Sequence, residues 1–242
     1  MSNPNVKPAQ GKLGVMVVGL GAVSTTFMTG VLMTRKGLAK PVGSMTQYDK
    51  IRVGKGADKK YLHYKDIVPI ADLNDIEFAA WDVYPANAYE SAINAEVLKE
   101  KDIEPVADEL KAIKPMRAAF DHNYAKRLDG ENYMKGATRW EMVENIRKDI
   151  RDFKAAKNLD RIVVLWAAST EVYVPVDEKV HYTLAALEAA MKADDKEHVA
   201  PSMCYAYAAL KEGAPFIMGA PNTTVPAARV NVAPFSTTKL SY

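Results

Sequence analysis

The sequence predicts an α/β fold, a doubly wound and mainly parallel sheet with helices on both faces. Three observations predict it. The apolar run Leu13-Gly14-Val15-Met16-Val17-Val18 leads directly into Gly19-Leu20-Gly21 and then into a helical pattern. Two more apolar runs, at 76–81 and at Arg161–Trp166, have the length and the β-branched or aromatic content of buried strands. Helical periodicity separates these runs, as crossovers between parallel strands require.

Each element has a local reason. After the first run, Val23, Phe27, Met28, Val31 and Leu32 recur at three- and four-residue spacings and give a helix one apolar side. Arg35 and Lys36 put positive charge in its last turn, and Gly37 suits the left-handed position beyond it. Residues 40–75 break any periodicity with Pro41, Gly43, Gly54, Gly56, Pro69 and many charges, and read as an irregular insertion holding one short strand. The strand at 76–81 ends at Asp82. Pro85 then opens a helix bearing Tyr89, Ile93 and Val97, and a second begins near Pro105 and stops before Pro115.

Thr138 and Glu141 have capping-box spacing, and Met142, Val143, Ile146, Ile150 and Phe153 make the apolar stripe behind them. The opposite face, with Arg147, Lys148, Arg151 and Lys154, reads as solvated. After Arg161–Trp166 the pattern predicts a helix over 177–192, another over Pro201–Lys211, and a last strand over 214–218. The organisation expected is a leader at 1–11, one domain at 12–223 with its insertion at 40–75, and a divergent tail at 224–242.

Whole-chain properties bound the function. The chain has 242 residues, of which 48% are hydrophobic, enough for a sizeable core without metals or disulfides. Its net charge of +2 offers no broad attraction for nucleic acid or a membrane surface. No apolar run of about 18 residues exists, and the start of the chain lacks the apolar stretch of a signal peptide. Cys204 is the single cysteine, so a reducing, cytoplasmic setting is expected, with the thiol buried and unreactive. His63, His122, His181 and His198 show no metal-ligand spacing and read as surface or loop residues.

Ligands of doubly wound sheets bind beyond the carboxyl ends of the strands. The first candidate there is Gly19-Leu20-Gly21-Ala22-Val23-Ser24-Thr25-Thr26. Gly19 permits a tight turn, Gly21 lets backbone approach a pyrophosphate, and the helix N-terminus supplies free N–H groups. Ser24 stands where a third glycine would complete the fingerprint, with its hydroxyl as a further donor. By itself this turn is equally a plain strand–helix connection. Asp82, at a strand end, can accept from both hydroxyls of an adenosine ribose and repel a 2′-phosphate. It stands 61 residues beyond Gly21 rather than the usual interval of about 20, which the insertion explains. A loop or capping carboxylate is the other reading. Ala168, Ser169 and Thr170 follow the strand at 161–166, where small residues leave room for a flat ring and the hydroxyls can donate. A turn with a serine or threonine cap is the alternative.

Several separated segments, taken in order, resemble one family. They are Val17-Val18-Gly19-Leu20-Gly21, Ala80-Trp81-Asp82-Val83, Asn145-Ile146-Arg147-Lys148-Asp149-Ile150-Arg151-Asp152-Phe153-Lys154, Arg161-Ile162-Val163-Val164-Leu165-Trp166-Ala167-Ala168-Ser169-Thr170-Glu171, and Gly213-Ala214-Pro215-Phe216-Ile217-Met218-Gly219-Ala220-Pro221-Asn222-Thr223. Together they resemble the myo-inositol-1-phosphate synthase family over roughly residues 12–225. The resemblance implies a Rossmann-like domain that binds NAD and an isomerase that converts glucose 6-phosphate to a myo-inositol phosphate. Oxidation at C5, enolisation, aldol closure and final reduction follow one another, and the cofactor is regenerated. It also implies that Gly19, Gly21, Ala22, Val23 and Ser24 cradle the pyrophosphate, that Asp82 takes the ribose, and that Ala168, Ser169 and Thr170 border the nicotinamide. The assembly implied is a homo-oligomer.

There are departures. Ser24 replaces a usual glycine, Met218 a usual asparagine, and Ala220 a frequent serine. Past Thr223 the resemblance stops, and the family's lysine-rich catalytic segment and oligomerising sheet lie further on. A truncated or frame-shifted product is therefore expected. Another NAD-dependent oxidoreductase, or a non-catalytic dinucleotide-binding fragment, are the competing readings.

Overall fold

Short apolar runs become a single parallel sheet because each is followed by an amphipathic helix that returns the chain to the same edge. The computed structural model describes residues 10–68, 70–222 and 224. The first nine residues of the expected leader, and the tail from 225 onward, lie outside the described residues. In chain order the elements are β1 (Leu13–Val18), α1 (Ala22–Arg35), α2 (Met45–Tyr48), β2 (Lys50–Val53), β3 (Lys60–His63), β4 (Ile76–Asp82), α3 (Ala88–Asn94), α4 (Glu100–Ile103), α5 (Ala107–Ala112), β5 (Met116–Arg117), α6 (Arg139–Ala156), β6 (Arg161–Trp166), α7 (Glu178–His181), α8 (Leu184–Lys192), α9 (Pro201–Lys211) and β7 (Phe216–Met218).

The main sheet has the order β5-β4-β1-β6-β7, with every neighbouring pair parallel. Strand order reverses on either side of β1, so the crevice between β1 and β6 is the topological switch point. Val18 is in register with Trp81 on one side and with Trp166 on the other. That register brings Gly19, Asp82 and Ala167 to one level at the carboxyl edge.

Side chains alternate across the sheet, as strand geometry demands. Met16, Val18, Trp81, Val164 and Trp166 pack on the face covered by α6 and α9. Val17 and Ala80 face the other way, onto Met28 and Leu32 of α1 and Ile103, Val106 and Leu110 from the 100–112 region. Helix α9 is buried along Pro201–Ala209, between α6 and the sheet. Cys204 lies within it, and burial pushes its thiol up to about 12.

Several expectations need correction. The 40–75 insertion holds two strands, β2 and β3, paired antiparallel. They carry no sequence signature because nearly every residue in them is exposed and no apolar face exists to alternate. The helix assigned to Pro85 begins at Ala88, because Asn87 caps it in a full capping box with Glu90. Pro105 sits in a 3-10 turn, Glu104–Val106, ahead of α5. The single helix expected over 177–192 is two, since Thr183 is extended and its hydroxyl accepts from Ala186 N–H to start α8. His181 is buried, with Nδ1 accepting from Asp177 N–H and Nε2 against His198 O. The basic face of α6 is not wholly solvated, because Arg147 and Arg151 both pair with Glu212. Strand β5 is two residues long, too short to leave a pattern in the sequence.

Candidate functional site

The turn that follows β1 is built by close backbone approach. Gly19 has φ +93°, and a Cβ there would lie 2.6 Å from Ala168 Cα. Its N–H donates to Trp81 O at 2.8 Å, and Ala167 N–H donates to Val18 O at 2.9 Å. Glycine is thus required where β1, β4 and β6 meet. Gly21 is the N-cap of α1, without any side-chain cap and without an acidic residue in the first turn. The first N–H groups of that helix have no intrahelical acceptor and form the positive end of its dipole.

Asp82 braces this turn. Its Oδ2 accepts from Leu20 N–H at 2.5 Å and its Oδ1 from Tyr84 N–H at 2.8 Å. Burial raises the Asp82 carboxyl above its ordinary value, and the N–H donors of Tyr84, Leu20 and Val83 oppose that rise. Each oxygen of a carboxylate has a second lone pair, so both can still accept from a ligand. Asn132 secures the same edge, with Nδ2 donating to Asp82 O and Met116 O.

A cavity of about 550 Å³ opens at this edge, over the carboxyl ends of β1, β4, β5 and β6. Of the residues expected from sequence, Gly19, Gly21, Ala22, Val23, Asp82, Ala168 and Ser169 border it. Ser24 and Thr170 are not on its wall. The Ser24 hydroxyl is buried and donates to Gly19 O at 2.6 Å, so it stabilises the turn from beneath instead of facing a ligand. Val23, placed by periodicity on the packed stripe, is 65% exposed at the cavity rim. Beside Gly21, an added Cβ would meet nothing within 4 Å. The backbone of the turn is therefore open to a large group, which fits a pyrophosphate resting on the start of α1.

Sequence reasoning missed part of the wall. Ala118, Ala119, Phe120, Asp121 and Tyr124 come from the loop after β5, and Glu171 from the loop after β6. No local motif marks them, because long-range partners position them. Asp121 pairs with the fully buried Arg139 of α6 at 2.7 Å. Burial pushes the Asp121 carboxyl up, but the Arg139 guanidinium and Asn123 N–H outweigh it and hold it low. Arg139 also donates to Val199 O and lies over the Tyr124 ring. Tyr205, on α9, accepts from Ala119 N–H and meets Trp81 and Trp166 edge-on. These contacts fix the loop whose alanines give the cavity its smooth, apolar side.

Among the described residues no cluster of three or more His, Cys, Asp or Glu side chains could hold a metal ion, and no helix is long and apolar enough to cross a membrane.

Comparison with known proteins places the chain among relatives of one family. The family model described as myo-inositol-1-phosphate synthase matches residues 13–239, beyond residue 223, and represents an NAD-binding region. Inositol-3-phosphate synthase 1 of Bacteroides thetaiotaomicron is 62% identical over 91% of this chain and 51% of its own length. The rice protein of the same name is 36% identical over 89% of this chain and 45% of its own. The crystal structure of inositol-3-phosphate synthase from Caenorhabditis elegans superposes with a TM-score of 0.85 at 28% identity, covering 92% of this chain and 46% of that one. A myo-inositol-1-phosphate synthase-related protein from Thermotoga maritima shares the fold, with a TM-score of 0.56 at 20% identity over 85% of this chain and 47% of that one. The chain spans about half the length of the curated relatives it matches. With the family match covering most of the chain, the chain belongs to the myo-inositol-1-phosphate synthase family.

Proposed function

We propose that this chain provides the NAD-holding part of an isomerase of the inositol-3-phosphate synthase type, acting on glucose 6-phosphate. One observation carries the reading. The uncapped start of α1, with open space beside Gly21, borders a cavity at the switch point of the sheet.

Bound NAD supplies reversible oxidation of a sugar hydroxyl, so that the cofactor is restored within one turnover. The chain's own residues bind and orient it. The backbone of Gly21, Ala22 and Val23 receives the pyrophosphate on the dipole end of α1. Asp82 holds the turn through Leu20 N–H and offers its remaining lone pairs to the adenosine ribose. Ala168 and Ser169 border the nicotinamide end, and Ala118, Ala119 and Phe120 keep water from one side of the cavity. Asp121 and Glu171 add no unbalanced charge against the dianionic pyrophosphate, because Arg139 neutralises the first and the start of α9 accommodates the second. Bond-making steps on the sugar are not assigned to these residues. The same reading includes self-association of the whole enzyme and work in a reducing, cytoplasmic compartment, supported by the single buried cysteine.

Calorimetric titration of the chain with NAD, and with NADP as comparator, tests this. Saturable binding is expected, with NAD preferred at least about tenfold because Asp82 repels a 2′-phosphate. A folded chain that binds neither nucleotide would overturn the reading. Equal affinity for both would remove Asp82 from the ribose.

A further inference from the structure

Glu171 occupies a junction that the cofactor reading leaves unused. Its Oε1 accepts from Ser202 N–H at 2.9 Å, and its Oε2 accepts from the Ser202 hydroxyl and from Asn222 Nδ2–H at 3.2 Å. Its own N–H donates to Asn222 Oδ1 at 3.0 Å. The Ser202 hydroxyl also meets that of Thr224. Ser202 lies in the first turn of α9, whose N-cap is Ala200 and which has no side-chain cap of its own. A carboxylate from another segment therefore does the capping, where negative charge suits the helix dipole. One residue on, Val172 N–H donates to Tyr124 O at 2.8 Å. A single side chain thus joins the loop after β6, the start of α9 and the stretch after β7, all at the edge of the cavity that Glu171 borders.

We propose that Glu171 is the positioning residue of this cavity, holding Ala167, Ala168 and Ser169 in the geometry that receives the nicotinamide end of the cofactor. The inference rests on the NAD reading above. Positioning and fold stability depend on pH in opposite directions at Glu171. Burial pushes the Glu171 carboxyl up to about 7, against the Ser202 donors and the charge of Arg139. A group whose folded pKa exceeds its ordinary value holds more protons when folded. Its contribution to stability is present below the ordinary carboxylate range and is lost as pH rises to about 7. Glutamine fills the same space without that loss. It has only one acceptor oxygen, however, and would turn an N–H toward Asn222 Nδ2–H.

The charged or titratable groups that act on Glu171 are Arg139 on α6, Asp121 and Tyr124 on the loop after β5, and Cys204 on α9. The Arg139 guanidinium holds the Asp121 carboxyl low, while burial drives Tyr124 and Cys204 up to about 12. Near neutrality, Glu171 is the member of this set that changes charge.

The test compares wild type, Glu171→Gln and Asn222→Ala by NAD calorimetry from pH 6 to 8.5, with thermal melts of each. Wild-type affinity should rise through about pH 7, and Glu171→Gln should lack that step. At pH 8 Glu171→Gln should bind NAD about tenfold more weakly, because the tie to Asn222 that holds Ala167, Ala168 and Ser169 in place is broken. Its melting temperature should lack the fall that wild type shows as pH rises to about 7. Asn222→Ala, which cuts the tie from the other side, should reproduce the weakened binding at pH 8. Wild-type affinity in Glu171→Gln at pH 8 would overturn the proposal, as would a lower melting temperature with a uniform loss of binding at every pH. A wild-type chain that binds no NAD at any pH would instead defeat the cofactor reading, and this one with it.

Discussion

Gly19 and Gly21 stand two residues apart in one turn, and a methyl group should damage the protein differently at each. At Gly19 the backbone has φ +93°, and the new Cβ would lie 2.6 Å from Ala168 Cα and 2.8 Å from Ala168 N. The left-handed backbone costs an L-residue about 1–2 kcal/mol. The clash is with backbone, so the loop after β6 must move, an overpacking cost of about 1–3 kcal/mol. Gly19→Ala should therefore lose roughly 2–5 kcal/mol, a fall of about 10 °C in melting temperature for a chain of this size. At Gly21 the backbone lies at φ −89° and a Cβ meets nothing within 4 Å. Gly21→Ala should leave stability unchanged or raise it by about 0.4–1 kcal/mol, through the lower entropy of the unfolded chain. Its methyl would occupy the space offered to the pyrophosphate, and NAD affinity should fall at least about tenfold. Circular-dichroism melts and NAD calorimetry on the two variants read both effects. A Gly21→Ala chain that binds NAD as wild type does would refute the placement of the pyrophosphate on this turn. Wild-type melting of Gly19→Ala would refute the close approach of β1 to the loop after β6.

Two further substitutions test the supports of the cavity wall. Arg139→Ala leaves Asp121 half-buried and without its partner, and should cost about 3–5 kcal/mol in urea denaturation; a loss under about 1 kcal/mol would mean that the pair carries little. Tyr205→Phe removes the acceptor for Ala119 N–H in a fully buried setting, so a loss of about 1–3 kcal/mol is expected in the same assay. Amide exchange at Ala119 should also accelerate in Tyr205→Phe, and an unchanged rate would show that another acceptor serves that group.

The elements that local chemistry could specify were legible in the sequence. Strands β1, β4 and β6 are continuous apolar runs because both of their faces are covered, and α6 announces itself with a capping box and a periodic stripe. Gly19, Gly21 and Asp82 could be singled out because a tight turn and a strand end make demands on one residue at a time. The resemblance carried by separated motifs supplied the family, which the comparisons then showed.

Tertiary structure decided what depends on partners distant in sequence. The hairpin of β2 and β3 is held by backbone pairing alone, so its exposed side chains record nothing of it. The sequence predicts Ser24 as a ligand donor, yet the packing of α1 beneath the turn gives its hydroxyl to Gly19 O. Asp121 and Glu171 reach the cavity wall only because Arg139, Ser202 and Asn222, from 18 to 51 residues away, neutralise or hold them. A buried charge needs compensation, and when compensation comes from across the fold no local pattern can announce it. The sequence by itself determined where the main strands turn and which edge of the sheet carries the candidate site. Only the folded core decided which side chains at that edge are free to face a cofactor.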